Sequence, residues 1–215
     1  MTIAPLAKSY TADAFTTYVA KEVEPKMGVW RPRGFVLHNT GLMTPKGEPL
    51  PAKGGKSTSE WFYLYKGKPL AGLQRVKNMW VSYQDQGWAG GPHLVVTDRE
   101  IFTGNPLWLR GTHSPSWNAM FWGLEMAGDF DVEAFPPALR DLAVHAMATL
   151  YAMLGAAPTN DTFHLHKEDP ATTHKHCPGK NAGVKADWIK AITAHMATLH
   201  PGGCLCGDHA KALVA

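Results

Sequence analysis

The sequence predicts an α/β fold: a single domain with a central mixed β-sheet flanked by helices. Three observations lead there. Short apolar runs suited to buried strands alternate with segments of helical spacing along most of the chain. Breaks rich in Gly, Pro or Asp bound those runs. With 215 residues, 45% hydrophobic and 18% charged, the chain is long enough for one well-cored domain and short for two.

Residues 11–23 carry Ala14, Phe15, Tyr18, Val19 and Val23 at helical spacing, which predicts an N-terminal helix. After the break at Arg31-Pro32-Arg33-Gly34, Phe35-Val36-Leu37 reads as a buried strand ending on His38-Asn39-Thr40. Residues 41–56 are polar and rich in Gly, Pro and Lys, so a loop is expected. Ser57 and Glu60 have capping-box spacing and predict a short helix through Trp61. Residues 69–83 show no clear period. His93-Leu94-Val95-Val96-Thr97, a turn at Asp98-Arg99-Glu100 and Ile101-Phe102 predict a hairpin. Trp122-Gly123-Leu124-Glu125-Met126 is a further strand. Pro136-Pro137 opens the clearest helix, with Leu139, Leu142, Ala146, Leu150 and Met153 on one side and Gly155 at its C-cap. A last strand is expected over residues 162–166 and a last helix over 185–199, closed by Pro201-Gly202-Gly203.

A net charge of +3 is too weak for a nucleic-acid-binding face. No segment reaches the roughly 18 apolar residues that span a bilayer. The opening Met1-Thr2-Ile3-Ala4-Pro5 has no basic flank before an apolar run, so no signal peptide is expected and synthesis is placed in the cytoplasm. Three cysteines, Cys177, Cys204 and Cys206, do not make a disulfide framework. The 204–209 tail offers two thiols and His209 but no fourth ligand, and reads as incidental. The eight tryptophans are read first as core packing, with sugar or peptide contact as the second reading.

Metal-ligand residue types concentrate in three places: His38 at a strand end, His164 with His166, and His174-Lys175-His176-Cys177. Imidazole and thiolate suit zinc, and a catalytic zinc site takes three protein ligands with the fourth position open. In an extended strand His164 and His166 face the same way, so spacing leaves the choice between them open. There is no His-Glu-x-x-His motif, which argues against the common metalloprotease plan.

The run Phe35-Val36-Leu37-His38-Asn39-Thr40, with the later His166-Lys167-Glu168-Asp169 and Lys175-His176-Cys177-Pro178-Gly179, resembles the phage-type and peptidoglycan-recognition-type N-acetylmuramoyl-L-alanine amidases. The resemblance spans about residues 33–190. It extends through Gly91-Pro92-His93-Leu94-Val95-Val96, Thr112-His113 to Asn118, and Gly123-Leu124-Glu125. It implies Zn2+ at one edge of the sheet, held by His38, His166 and Cys177, with His164 and His174 as rivals. It also implies Glu125 as acid/base and Lys175 as a second catalytic group. Asn39, Trp61 and His113 are assigned to substrate contact, and His93 to the core. The phage branch carries a Tyr just before the second-strand His; here that position is Pro92.

The expected function is then zinc-dependent hydrolysis of the amide between N-acetylmuramic acid and L-alanine in bacterial peptidoglycan, as by a monomeric endolysin degrading the cell wall from the host periplasm. The alternatives are a cytoplasmic cell-wall-recycling amidase or a non-catalytic peptidoglycan-binding module. Domain boundaries are expected at residues 1–30 for an N-terminal helical extension, 31–200 for the catalytic domain and 201–215 for a tail.

Overall fold

The computed structural model describes residues 8–41, 64–65, 68–69, 72–85, 87 and 89–199. The loop expected over 41–56 (past Gly41), the capping box at 57–60, Trp61 and the 204–209 tail lie outside the described residues. In chain order the elements are β1 (Ser9–Tyr10), α1 (Ala12–Tyr18), β2 (Phe35–Asn39), β3 (Leu64–Tyr65), β4 (Lys68–Pro69), α2 (Gly72–Asp85), β5 (Leu94–Val96), β6 (Ile101–Thr103), β7 (Trp122–Met126), α3 (Pro137–Leu154), β8 (Phe163–Leu165) and α4 (Lys185–Leu199). No described helix is long and apolar enough to cross a membrane.

Six strands form one sheet in the order β1-β6-β5-β7-β2-β8, and β3 pairs with β4 apart from it. The pairs β5–β7, β7–β2 and β2–β8 are parallel, while β5–β6 and β6–β1 are antiparallel. β2 and β7 are apolar almost throughout because both faces of the sheet are covered. On one face Phe35, Leu37, Leu94, Leu124 and Met126 bury against Phe15 of α1, Met147 and Tyr151 of α3, and Trp188 and Ile192 of α4. On the other, Val95, Phe102 and Ala127 pack with Val76, Met79 and Trp80 of α2.

Two expectations are corrected. Residues 69–83, read without a period, hold most of α2. Its core stripe is Val76, Met79, Trp80 and half-buried Tyr83, but Leu73 and Val81 point to solvent at 43% and 41% exposure and blur the pattern. The last strand does not run to His166. It stops at Leu165, and His166–Glu168 turns into a 3-10 helix whose Glu168 carboxylate accepts the Leu165 N–H at 3.0 Å. α3 ends where expected: Gly155 takes a left-handed conformation, φ 64°, which favours glycine.

The segment ahead of residue 31 joins both the sheet and the core. β1 pairs with β6, and Phe15, Val19 and Val23 are buried. We therefore expect Phe15→Ala to cost about 3–5 kcal/mol in urea unfolding, as for a core aromatic. A cost below about 0.5 kcal/mol, the value for a surface residue, would show the segment to be dispensable.

Candidate metal centre and its carboxylate

Side chains alternate along a strand, so the register of the sheet decides what meets at its surface. His38 on β2 lies level with Glu125 on β7, and Glu125 lies level with Val95 on β5. All three stand on the α2 face. His166 reaches the same place from the 3-10 turn after β8. Its loop returns to it because the Lys167 N–H donates to the Cys177 carbonyl at 2.9 Å, which seats Cys177 beside the turn.

The donor atoms of His38, His166 and Cys177 all lie within 4.8 Å of one another, and all three residues are buried. The two rivals stay outside this group. His164 stacks on Trp117 at 4.3 Å and lies 3.7 Å from the Glu168 carboxylate. His174 stacks on His166 at a centroid distance of 5.3 Å from the exposed side of the loop.

Hydrogen bonds orient both imidazoles. His113 Nε2 meets the Phe121 carbonyl at 3.1 Å, and a carbonyl can only accept, so this nitrogen carries the proton. His113 Nδ1 is then an acceptor for His38 Nε2–H at 3.2 Å, which leaves the lone pair of His38 on Nδ1. His166 Nε2 faces the Thr172 hydroxyl at 2.9 Å, so its other nitrogen, Nδ1, is the one left for a ligand. Gly123 makes the first arrangement possible: a Cβ there would lie 2.4 Å from the His113 ring. His113, assigned to substrate from sequence, thus has both ring nitrogens engaged with protein.

Electrostatics keep these groups neutral. Burial, followed by the neighbouring histidines, holds His38 well below the usual imidazole range, and burial with His174 brings His166 to about 4. Burial likewise brings His113 to about 4. The Cys177 thiol is pushed far up by burial, against the Asn39 N–H that donates to Sγ at 3.4 Å. Two neutral imidazoles and a thiol with no cation among them fit Zn2+, whose charge would favour the thiolate that burial otherwise opposes.

Glu125 stands beside this group without belonging to it. Burial raises its carboxyl to about 7, opposed by Tyr83, whose Oη donates to Oε2 at 2.9 Å. Lys175 is exposed, with Nζ donating to the Asp169 carbonyl at 3.4 Å, and its charge is felt at His166. Asp169 clamps the loop: it accepts from the Ser114 hydroxyl, from the Ser116 N–H at 3.1 Å and from the Ala171 N–H at 2.8 Å. Burial raises its pKa, and these bonds outweigh that, leaving it below the ordinary value. His93 is buried as expected, accepting from the Gly123 N–H at Nδ1 and donating from Nε2 to the Leu109 carbonyl. The sequence reading missed Tyr83, Thr172 and the Asp169 clamp. Only Tyr83 left a signal, its position three and four residues after Trp80 and Met79.

A mixed sheet that gathers two imidazoles, a thiol and a carboxylate on one face has the make-up of a hydrolase's site. A family model described as N-acetylmuramoyl-L-alanine amidase matches residues 30–180, and the chain belongs to that family. Among solved structures it is similar to the endolysin N-acetylmuramoyl-L-alanine amidase LysCS from Clostridium intestinale URNW, with TM-score 0.51 and 18% identity, covering 90% of this chain and 91% of that one. The amidase LysC from the same organism gives TM-score 0.51 and 18% identity over 90% and 93%. These likenesses show the shared fold. No curated protein sequence matches the chain.

For a zinc ion held by these three donors, the hydrogen-bond relay predicts that His113→Ala weakens binding by about 10- to 100-fold in competition with a chromophoric chelator. Gly123→Ala, which displaces the same ring, should act in the same direction. Zinc affinity should also fall as pH falls, because the Cys177 proton must leave. His166, brought to about 4, and His38, held well below the usual imidazole range, add little near neutrality. Calorimetry in buffers of different ionisation enthalpy should find about one proton released per zinc at pH 7; release of none contradicts a thiolate ligand.

Proposed function

We propose that the protein is a zinc-dependent amidase that cleaves the bond between the lactyl group of N-acetylmuramic acid and the L-alanine of the stem peptide. In this reading it degrades the bacterial cell wall in the manner of an endolysin. The observation that carries the proposal is the meeting of His38, His166 and Cys177 next to Glu125, within a chain of the amidase family.

His38, His166 and Cys177 would hold the ion, leaving a fourth position open. Zinc in such a site polarises a carbonyl and lowers the pKa of water. Glu125 acts as the acid/base. A carboxyl poised at about 7 can take a proton from the attacking water and hand it to the leaving amine near neutral pH, since neither transfer is far uphill. Lys175 brings positive charge to the oxygen that gains charge as the carbonyl becomes tetrahedral. Asn39, half-buried at the end of β2, is the described candidate for substrate contact.

Incubation of the purified protein with peptidoglycan sacculi should expose new N-terminal alanine, and a chelator should abolish the release. Glu125→Gln should lower turnover by roughly 100-fold or more with zinc still bound, as for loss of a general acid/base. Cys177→Ala should lose both zinc and activity. Absence of freed alanine amines from the wild type sinks the amidase reading. Full activity in Cys177→Ala with one equivalent of zinc sinks the ligand assignment.

A further inference from the structure

A buried carboxylate can reach several rotamers, and only some aim an oxygen at the reaction. Glu125 has one such oxygen held. The Tyr83 hydroxyl donates to Oε2 at 2.9 Å, while Oε1 takes no bond among the described residues. The phenol arrives from α2, across the face on which His38 and Glu125 stand. Its helix is held by two sets of contacts ahead of Tyr83. Val76, Met79 and Trp80 pack on Val95, Phe102 and Ala127, and near the helix start Arg75 makes a two-pronged ion pair with Glu133 at 2.8 and 3.0 Å. Tyr83 lies one turn beyond Met79, on the same stripe, so its ring is carried by the sheet packing itself. A phenol has few rotatable bonds and locates its hydroxyl at little entropic cost.

We propose that Tyr83 is a positioning residue of the amidase reaction, holding Oε2 of Glu125 so that Oε1 is the oxygen presented beside the His38, His166 and Cys177 group. This rests on the reading of Glu125 as the acid/base. Tyr83 acts through Glu125 and itself makes no contact with the reacting atoms. α2 thereby becomes part of the site: its seating on Val95, Phe102 and Ala127 sets the aim of the carboxylate.

The test compares zinc-loaded wild type, Tyr83→Phe, Glu125→Gln and the double variant in alanine release from sacculi, together with crystal structures of metal-free wild type and Tyr83→Phe. Phenylalanine keeps the ring, so the melting temperature, zinc content and KM should stay at wild-type values. The kcat of Tyr83→Phe should fall roughly ten- to a hundredfold, as for loss of a hydrogen bond to a charged group. In the Glu125→Gln background the same change should add no further loss, and in the Tyr83→Phe crystal Glu125 should leave its single rotamer. Wild-type kcat in Tyr83→Phe, a loss carried in full into Glu125→Gln, or an unmoved Glu125 overturns the proposal. A Glu125→Gln enzyme with full activity overturns instead the reading on which it rests. A wild type that releases no alanine does the same, and the crystallographic comparison then decides the placement of Glu125 alone.

Discussion

In the parallel pair β2–β7, His38 stands level with Glu125, and the alternation of side chains along a strand puts both on the face covered by α2. Everything else in the site depends on that register. A slip of one residue in either strand would turn that strand's polar side chain, His38 or Glu125, into the apolar core beneath α1, α3 and α4, away from its partner. The register is held by that core, because Phe35, Leu37, Leu124 and Met126 occupy the alternate positions and are fully buried there. The apolar half of each strand thus fixes where its few polar side chains emerge.

Around this pair the structure gathers groups that would be costly to bury if charged. The imidazoles of His38, His113 and His166 are all depressed, and the Cys177 thiol is raised. A site of neutral donors is ready to receive a dication, since little has to be deprotonated except the thiol. The bonds from His113 and Thr172 fix which nitrogen of each imidazole is left to donate. The loop from His166 to Cys177 is held by its own backbone bond and by the Asp169 clamp, so the thiol is placed by covalent and hydrogen-bonded constraints rather than by a strand.

Strands β2 and β7 are legible in sequence because unbroken apolar runs mark strands covered on both faces, and a polar residue inside such a run stands out. His38 is visible for that reason, whereas Glu125 is assigned only through the family resemblance. α3 and α4 are legible from their spacing, with Trp188, Ile192 and Met196 at regular intervals. α2 is not, since exposed Leu73 and Val81 dilute its stripe and hide Tyr83 with it. The choice between His164 and His166 could not be made from spacing, because it turns on a strand ending one residue earlier than its apolar pattern suggests. The partners of the site are less legible still. Ser114 and Asp169 are 55 residues apart, and His38 and His113 are 75 apart, so only the folded sheet brings them together.

In the proposed reading, two imidazoles and one thiolate on this sheet face hold a zinc ion next to Glu125. An anomalous-difference map recorded at the zinc edge from crystals of the zinc-loaded protein tests it most directly. One peak is expected, bounded by Nδ1 of His38, Nδ1 of His166 and Sγ of Cys177, with Glu125 beside it and outside its ligand set. A peak bound by His164 or His174 in place of His166, or no peak at this site, would contradict it.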